Sequence, residues 1–319
     1  MPKRKKIAIT IGDPAGIGPE VALKTVLSDE VMDICNPLII GDKPVLEETA
    51  DALGISVDLG AYDILGTGEI RSRDFQKART DAVNGRACVS YIRKAVELAQ
   101  LRIVDAVVTA PITKESLRMA GFPWPGHTEL LAELTATADY AMMLCGGPLR
   151  VILVTIHRPL RDVPGLITRE NVLKTIVLAE QACRMMGIGN PQIAVAGLNP
   201  HAGESGLFGS EEIDEIAPAV QEAWDRGIPV SGPYPADTLF HRAYQGEFDV
   251  IVSMYHDQGL VPLKMIAFDT GVNVTIGLPV IRTSPDHGSA YDRAWKGIAN
   301  PSSMIEAVKF AVSLSRSRE

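Results

Sequence analysis

The chain has 319 residues, 46% hydrophobic and 22% charged, with a formal net charge of −8. That length suits two domains or one large α/β unit, and the acidic balance argues against nucleic acid or an anionic membrane as the main partner. The four cysteines, Cys35, Cys88, Cys145 and Cys183, are widely spaced and form no C-x-x-C pair, so they read as buried thiols of a reducing compartment.

Taken from the start, Met1-Pro-Lys-Arg-Lys-Lys6 is basic, but the apolar stretch at 7–11 breaks at Gly12-Asp13-Pro14. It is too short for the apolar core of a secretory signal, and no later stretch reads as a spanning helix; the expectation is a cytoplasmic protein. Short apolar, β-branched runs read as strands at 7–11, 38–40, 106–110, 141–144, 151–156, 193–196, 250–253 and 272–276. Helical patterns alternate with them at 85–100, 168–186, 210–226 and 303–314. Val89, Ile92, Val96 and Ala99 form an apolar stripe in the first, and Glu211, Glu212 and Asp214 suit the N-terminus of the third. This alternation predicts an α/β fold of parallel strands with helical crossovers. Interleaved domains are expected, with crossings in the Pro-rich passage 121–127 and the turn-rich passage 282–288.

Gly12-Asp-Pro-Ala-Gly-Ile-Gly18-Pro19-Glu20 follows the first strand, with Pro19 near the first position of a helix. It matches neither G-x-G-x-x-G nor a P-loop, and it reads equally as an anion-binding helix entrance or as a tight turn required by the fold. Gly126-His127-Thr128-Glu129 opens another helix, with Thr128 able to act as its N-cap and His127 placed for a phosphate or carboxylate. His157, His201 and His256 each stand just past an apolar run. In an open α/β sheet the carboxyl ends of the strands share the ligand-binding edge, so three imidazoles there can converge on a divalent metal. Lys264, Asn273 and Arg282 are polar residues set in apolar segments and need partners. A small phosphorylated acid supplies them, with Arg282 as a bidentate contact and Lys264 as a point charge. Structural hydrogen bonding is the competing reading, strongest for Asn273. In the stretch 286–301, Asp292 follows a Gly288-Ser289 turn and suits the ribose hydroxyls of a dinucleotide, favouring NAD over NADP.

Together these segments resemble the 4-hydroxythreonine-4-phosphate dehydrogenase family of pyridoxal phosphate synthesis. The resemblance runs nearly end to end: Gly12-Asp-Pro-Ala-Gly-Ile-Gly-Pro-Glu20, Thr109-Ala-Pro-Ile-Thr-Lys114, Pro125-Gly-His-Thr-Glu129, Leu198-Asn-Pro-His-Ala-Gly-Glu204, Gly232-Pro-Tyr-Pro-Ala-Asp-Thr238, Met254-Tyr-His-Asp-Gln-Gly259, Gly271-Val-Asn-Val-Thr-Ile-Gly-Leu-Pro279 and Ile281-Arg-Thr-Ser-Pro-Asp-His-Gly288. It implies two α/β/α domains with largely parallel sheets, of the isocitrate and isopropylmalate dehydrogenase type, spanning 1–130 plus 285–319 and 131–284. It further implies a homodimer with the active site in the cleft and at the subunit interface, so that His157, His201 and His256 of one chain need not meet. On this basis those three histidines are the expected metal ligands, for Zn, Co or Mg. His127, Thr128, Lys264, Asn273 and Arg282 are the expected substrate contacts. The second resemblance, of 286–301 to the adenosine loop of isopropylmalate and isocitrate dehydrogenases, places His287, Gly288, Ala290 and Asp292 at NAD.

The implied reaction is NAD-dependent, metal-assisted oxidation of 4-phosphohydroxy-L-threonine followed by decarboxylation, with Lys264, Asp237 and Asp257 as candidate bases. Paralogues acting on D-threonate or D-erythronate 4-phosphate are the alternative. A non-redox metal-dependent phosphohydrolase or lyase, or a catalytically silent metabolite-binding protein, is the rival from another class. The stretch 286–292 weighs against both rivals, since neither needs a ribose-binding carboxylate.

Overall fold

The computed structural model describes residues 4–317 and divides the chain into two compact units. One runs up to Ala138 and resumes at Leu278; the other is Asp139–Gly277. The passages expected as crossings, 121–127 and 282–288, both lie inside the first unit.

The first unit contains strands β1 (Lys5–Thr10), β2 (Cys35–Ile40), β3 (Asp63–Leu65), β4 (Ala106–Thr109) and β11 (Arg282–Pro285). They pair in the order β3-β2-β1-β4-β11, and every pairing is parallel. Ile7, Ala8 and Ile9 of β1 and Ala106, Val107 and Val108 of β4 are all buried, as expected for parallel strands covered on both faces. The helices are α1 (Gly18–Val26), α2 (Asp29–Met32), α3 (Lys43–Leu53), α4 (Ala82–Gln100), α5 (Lys114–Met119), α6 (His127–Leu134) and α11 (Ser302–Arg316). The α4 stripe packs Val89, Ile92 and Val96 with Leu117 and Leu130. Strand order reverses between β1 and β4, a switch point at which open α/β sheets bind ligands.

The second unit contains β5 (Ala141–Gly146), β6 (Leu149–Leu153), β7 (Ile193–Ala196), β8 (Val230–Tyr234), β9 (Val250–Ser253) and β10 (Val272–Ile276). Their order is β10-β5-β6-β9-β7-β8. The helices are α7 (Arg169–Met185), α8 (Ala217–Asp225), α9 (Ala236–Tyr244) and α10 (His256–Ala267). The sheets are largely parallel, as expected, and the exceptions lie here: β5 runs antiparallel to both β10 and β6. Only two residues, Gly147 and Pro148, join β5 to β6, and a connection that short can make a hairpin but no crossover. The helix expected at 210–226 begins with a π-helical turn, Glu212–Ile216, before α8. Strands β6, β9 and β7 are adjacent and parallel, and their inward residues Val151, Leu153, Ile251, Ala194 and Ala196 form one core with Leu260 and Leu263 of α10.

Candidate active site

The three strand-end histidines follow three neighbouring parallel strands of the second unit. His256 is the first residue of α10, His157 lies in the loop after β6, and His201 in the turn after β7. The rings of His157 and His256 approach to 5.6 Å between centroids. Nδ1 of His256 meets Asp257 Oδ1 at 2.7 Å, an arrangement that fixes the ring and leaves Nε2 to bind a metal. His201 does not join them. Its ring lies 6.2 Å from that of Phe208, and no group of three His, Cys, Asp or Glu side chains that could hold a metal ion is found among the described residues. The imidazoles and the carboxylate behind His256 suit the donor preference of Zn or Co.

The turn carrying His201 is left-handed. His201, Ala202, Gly203, Glu204 and Ser205 have φ of 53°, 51°, 80°, 44° and 57°. For the non-glycine residues this conformation costs roughly 1–2 kcal/mol each, and it persists only where the surroundings hold it. The holder is Glu212, 3% exposed, which accepts the N–H groups of Leu198 and Asn199 at 2.7 Å each.

In the first unit, Arg282 opens β11 and is 2% exposed. Its Nε and Nη2 donate to Thr109 Oγ1 at 3.1 and 2.7 Å. Burial pushes its pKa down to about 9, so an anion brought to the guanidinium relieves a real electrostatic penalty. His127 begins α6, and Gly126 occupies the cap position expected for Thr128, which sits in the first turn. The Nε2 atom of His127 is shielded from solvent and has no hydrogen-bond partner. Burial, and after it the Arg282 charge, hold His127 well below the ordinary histidine pKa, so it is neutral near pH 7. The sign of the consequence is fixed: as pH falls below about 6.5 the unfolded chain takes up a proton that the folded chain refuses. Denaturant unfolding between pH 7 and 5.5 is therefore expected to lose stability with a slope approaching about 1.4 kcal/mol per pH unit from this group. His127→Gln should remove that component, and an unchanged slope in the variant would refute it.

The Gly12–Glu20 passage is held against neighbouring loops. Four of its backbone donors are engaged by protein: Asp13 N–H with Pro111 O, Gly16 N–H with Asp13 O, Ile17 N–H with Ser289 O, and Ala15 N–H with Asp13 Oδ1. Gly12 has φ +68°, and a Cβ there would lie 2.3 Å from Pro111 O, so glycine is required. The buried Asp13 carboxylate accepts from Tyr291 Oη at 2.6 Å, and burial raises its pKa. Ala15 O accepts from Trp295 Nε1, and Glu20 accepts from Ala299 N–H. These contacts anchor the 286–301 segment, where His287 Nδ1 lies 3.2 Å from Gly288 O, Ala290 has φ 41°, and the Asp292 carboxylate is 81% exposed. Asp13, Thr109, Glu212, Gln258 and Tyr291 are not among the site residues expected from sequence. Each lies in a passage that the sequence marks, but residue type and spacing do not show which distant group it meets.

Asn273, on β10, has a shielded Oδ1 with no partner, an acceptor suited to a ligand ammonium or hydroxyl. Lys264 shares an open depression of about 380 Å³ with His256, Asp257, Leu260, Val261 and Met265. Asp257 is engaged with the His256 ring, and Asp237 is exposed in the first turn of α9.

A parallel sheet with a switch point in one unit and strand-end histidines in the other define a two-unit α/β protein. In fold it is similar to a β-decarboxylating dehydrogenase from Thermococcus kodakarensis, with TM-score 0.51, 15% identity and coverage of 97% and 83% of the two chains. More closely, the sequence model described as "Pyridoxal phosphate biosynthetic protein PdxA" matches residues 33–311, and the chain belongs to that family. It is 46% identical to the 4-hydroxythreonine-4-phosphate dehydrogenase of Desulforapulum autotrophicum, over 97% of this chain and 95% of the relative. It is 45% identical to the D-threonate 4-phosphate dehydrogenase of Cupriavidus necator, over 98% of each. The solved 4-hydroxythreonine-4-phosphate dehydrogenase of Klebsiella pneumoniae superimposes with TM-score 0.89 at 40% identity, over 98% of each chain. No helix among the described residues is long and apolar enough to cross a membrane.

Proposed function

We propose that this chain catalyses the NAD-dependent oxidation of 4-phosphohydroxy-L-threonine in pyridoxine 5′-phosphate synthesis. The C3 hydrogen leaves as hydride to the nicotinamide and the hydroxyl proton goes to a base, giving NADH and a 3-keto acid. The carboxylate carbon–carbon bond then breaks with loss of CO₂, and protonation of the enolate gives 3-amino-2-oxopropyl phosphate. The observation that carries this reading is the His157–His256 pair at 5.6 Å with Asp257 behind it, in a chain of this family.

His157 and His256, joined by His201 across a subunit interface, are the residues that would hold a divalent cation; when bound it supplies Lewis acidity for the alkoxide and enolate. Zn or Co fits this donor set best, with Mg admitted. Arg282, His127 and Thr128 bind the phosphate and carboxylate, and Asn273 Oδ1 accepts from the substituent beside the carboxylate. Lys264, Asp257 and Asp237 are the candidate bases; Asp257 is engaged with the His256 ring and Asp237 is solvent-exposed. Asp292 receives the ribose of NAD, with His287, Gly288 and Ala290 beside the adenosine. A homodimer is supported by the apolar surface beside His256, where Val261, Met265, Ile266 and Phe268 are 56%, 82%, 44% and 74% exposed. The buried thiols accord with a cytoplasmic site.

A second reading, oxidation of D-threonate 4-phosphate, is favoured by one observation: a relative of that name, at 45% identity, is about as similar as the 4-hydroxythreonine-4-phosphate dehydrogenase at 46%. Asn273 Oδ1 accepts a hydrogen bond from an ammonium or a hydroxyl alike. The test is NADH absorbance from purified protein supplied with NAD and each four-carbon phosphate. The expected result is NADH formation that chelator abolishes, with kcat/KM highest for 4-phosphohydroxy-L-threonine. A higher value for D-threonate 4-phosphate would transfer the assignment, and no NADH from any of them would end it.

A further inference from the structure

The three histidine-bearing segments of the second unit are tied together by a ladder of hydrogen bonds that uses none of the histidines themselves. Thr155, two residues before His157, donates Oγ1 to Met254 O at 2.7 Å. Met254, two residues before His256, donates its N–H to Gln258 Oε1 at 2.7 Å. The same carboxamide donates Nε2 to Gly197 O, four residues before His201, at 2.7 Å. The next two N–H groups, of Leu198 and Asn199, converge on Glu212 Oε1 at 2.7 Å each, and Asn199 Nδ2 donates to Glu212 Oε2 at 3.0 Å.

We propose that Gln258 and Glu212 are positioning residues, Gln258 for the helix turn that carries His256 and Glu212 for the left-handed turn that carries His201, so that each histidine is presented to the metal site it serves. The inference rests on reading the three histidines as metal ligands. The chemistry at each rung is selective. Position 258 must accept from one backbone group and donate to another from a single side chain, which a carboxamide does and neither a carboxylate nor an apolar group can. Position 212 must accept on both oxygens, two N–H groups on one and an amide on the other, which calls for a carboxylate. A carboxamide there turns an N–H₂ group toward a donor.

Geometry makes the two rungs consequential. Gln258 is in the first turn of α10, so it fixes that turn, and with it His256, against the end of β7. The left-handed run starts at His201, two residues after the Asn199 anchor, so Glu212 sets the point from which the run is launched. Gly203 within the run passes so close that a Cβ there would lie 2.7 Å from Glu212 Oε2. The carboxylate is thus the surface against which the turn is folded. Partners of this kind, one step removed from the ligands, commonly change metal affinity by about 10–100-fold when altered.

The experiment titrates metal-stripped full-length protein with cobalt(II), reading the dissociation constant and the visible absorption bands. Amide hydrogen exchange at Leu198 and Asn199 and the melting temperature are measured on the same metal-free samples. Gln258→Met and Glu212→Gln both keep side-chain size, and each is expected to weaken cobalt binding about 10–100-fold and shift the bands. Glu212→Gln should also speed exchange at the two amides. His256→Ala is the control for the reading beneath: cobalt binding that survives it overturns the metal assignment. If His256→Ala abolishes binding while both other variants keep the parent's affinity and spectrum, the positioning role is overturned and the metal assignment stands. A lowered melting temperature with unchanged affinity and spectrum counts against it equally, since a merely structural role predicts that outcome.

Discussion

Replacing His256 by alanine is expected to lower kcat for NADH formation roughly a thousandfold, with cobalt or zinc binding lost in parallel. The size follows from what the position supplies. Metal stabilisation of an alkoxide is worth several kcal/mol, and about 4 kcal/mol is a factor of a thousand. His256 is the histidine whose geometry is best fixed, opening α10 with its Nδ1 held by Asp257 at 2.7 Å. Its side chain is 36% exposed, outside the core built by Leu260, Leu263 and the strands, so the variant should stay folded and change stability by less than about 1 kcal/mol. Kinetics with added metal, metal analysis and thermal melting check this together. Wild-type kcat in a metal-free variant would remove the histidines from the chemistry.

Arg282→Met should lower kcat/KM for the phosphorylated substrate by roughly 10²–10³-fold while leaving the melting temperature unchanged or raised. The two halves have separate causes. Losing a buried, bidentate charge contact to an anion costs about 2–5 kcal/mol of binding. In the free protein the guanidinium is 2% exposed and its pKa is pushed down to about 9 by burial, so an apolar chain of similar length relieves a desolvation penalty. Thr109 Oγ1 loses a donor in exchange, a smaller effect. Arg282→Lys should recover only part of the activity, because an ammonium cannot supply the planar fork. Steady-state kinetics and thermal melting decide it. A variant that melts far lower, or one with unchanged kcat/KM, would show that Arg282 serves the fold and not the ligand.

Legibility in the sequence followed burial. Runs such as Val250–Ser253 were readable because every residue faces core and the composition says so locally. Strand β11, Arg282-Thr-Ser-Pro285, was not, although it too is wholly buried. Its polar groups are satisfied by Thr109 Oγ1 and by Ala307 O, 173 and 24 residues away in sequence. A buried polar strand looks like a turn until its partners are known. The short β3 and β8 carry half-exposed residues that mask the period. The same reasoning explains the Gly12–Glu20 passage. Its sequence offers bare N–H groups to an anion, but Pro111 and Ser289 take those of Asp13 and Ile17, and Tyr291, 278 residues from Asp13, takes the carboxylate.

By itself the sequence determined the kinds of element, their alternation, the family, and which side chains carry usable chemistry, because each of these depends on residue type and local spacing. Tertiary structure alone decided which groups meet. His157 and His256 come together because β6 and β9 are neighbours in the sheet, although 99 residues separate them. His201 follows an equally apolar strand yet is turned aside, because a left-handed run is more stable against the buried Glu212 carboxylate than in isolation. Strand pairing and the anchoring of loops by distant carboxylates are sums over contacts far apart in the chain, and no window of sequence contains both partners.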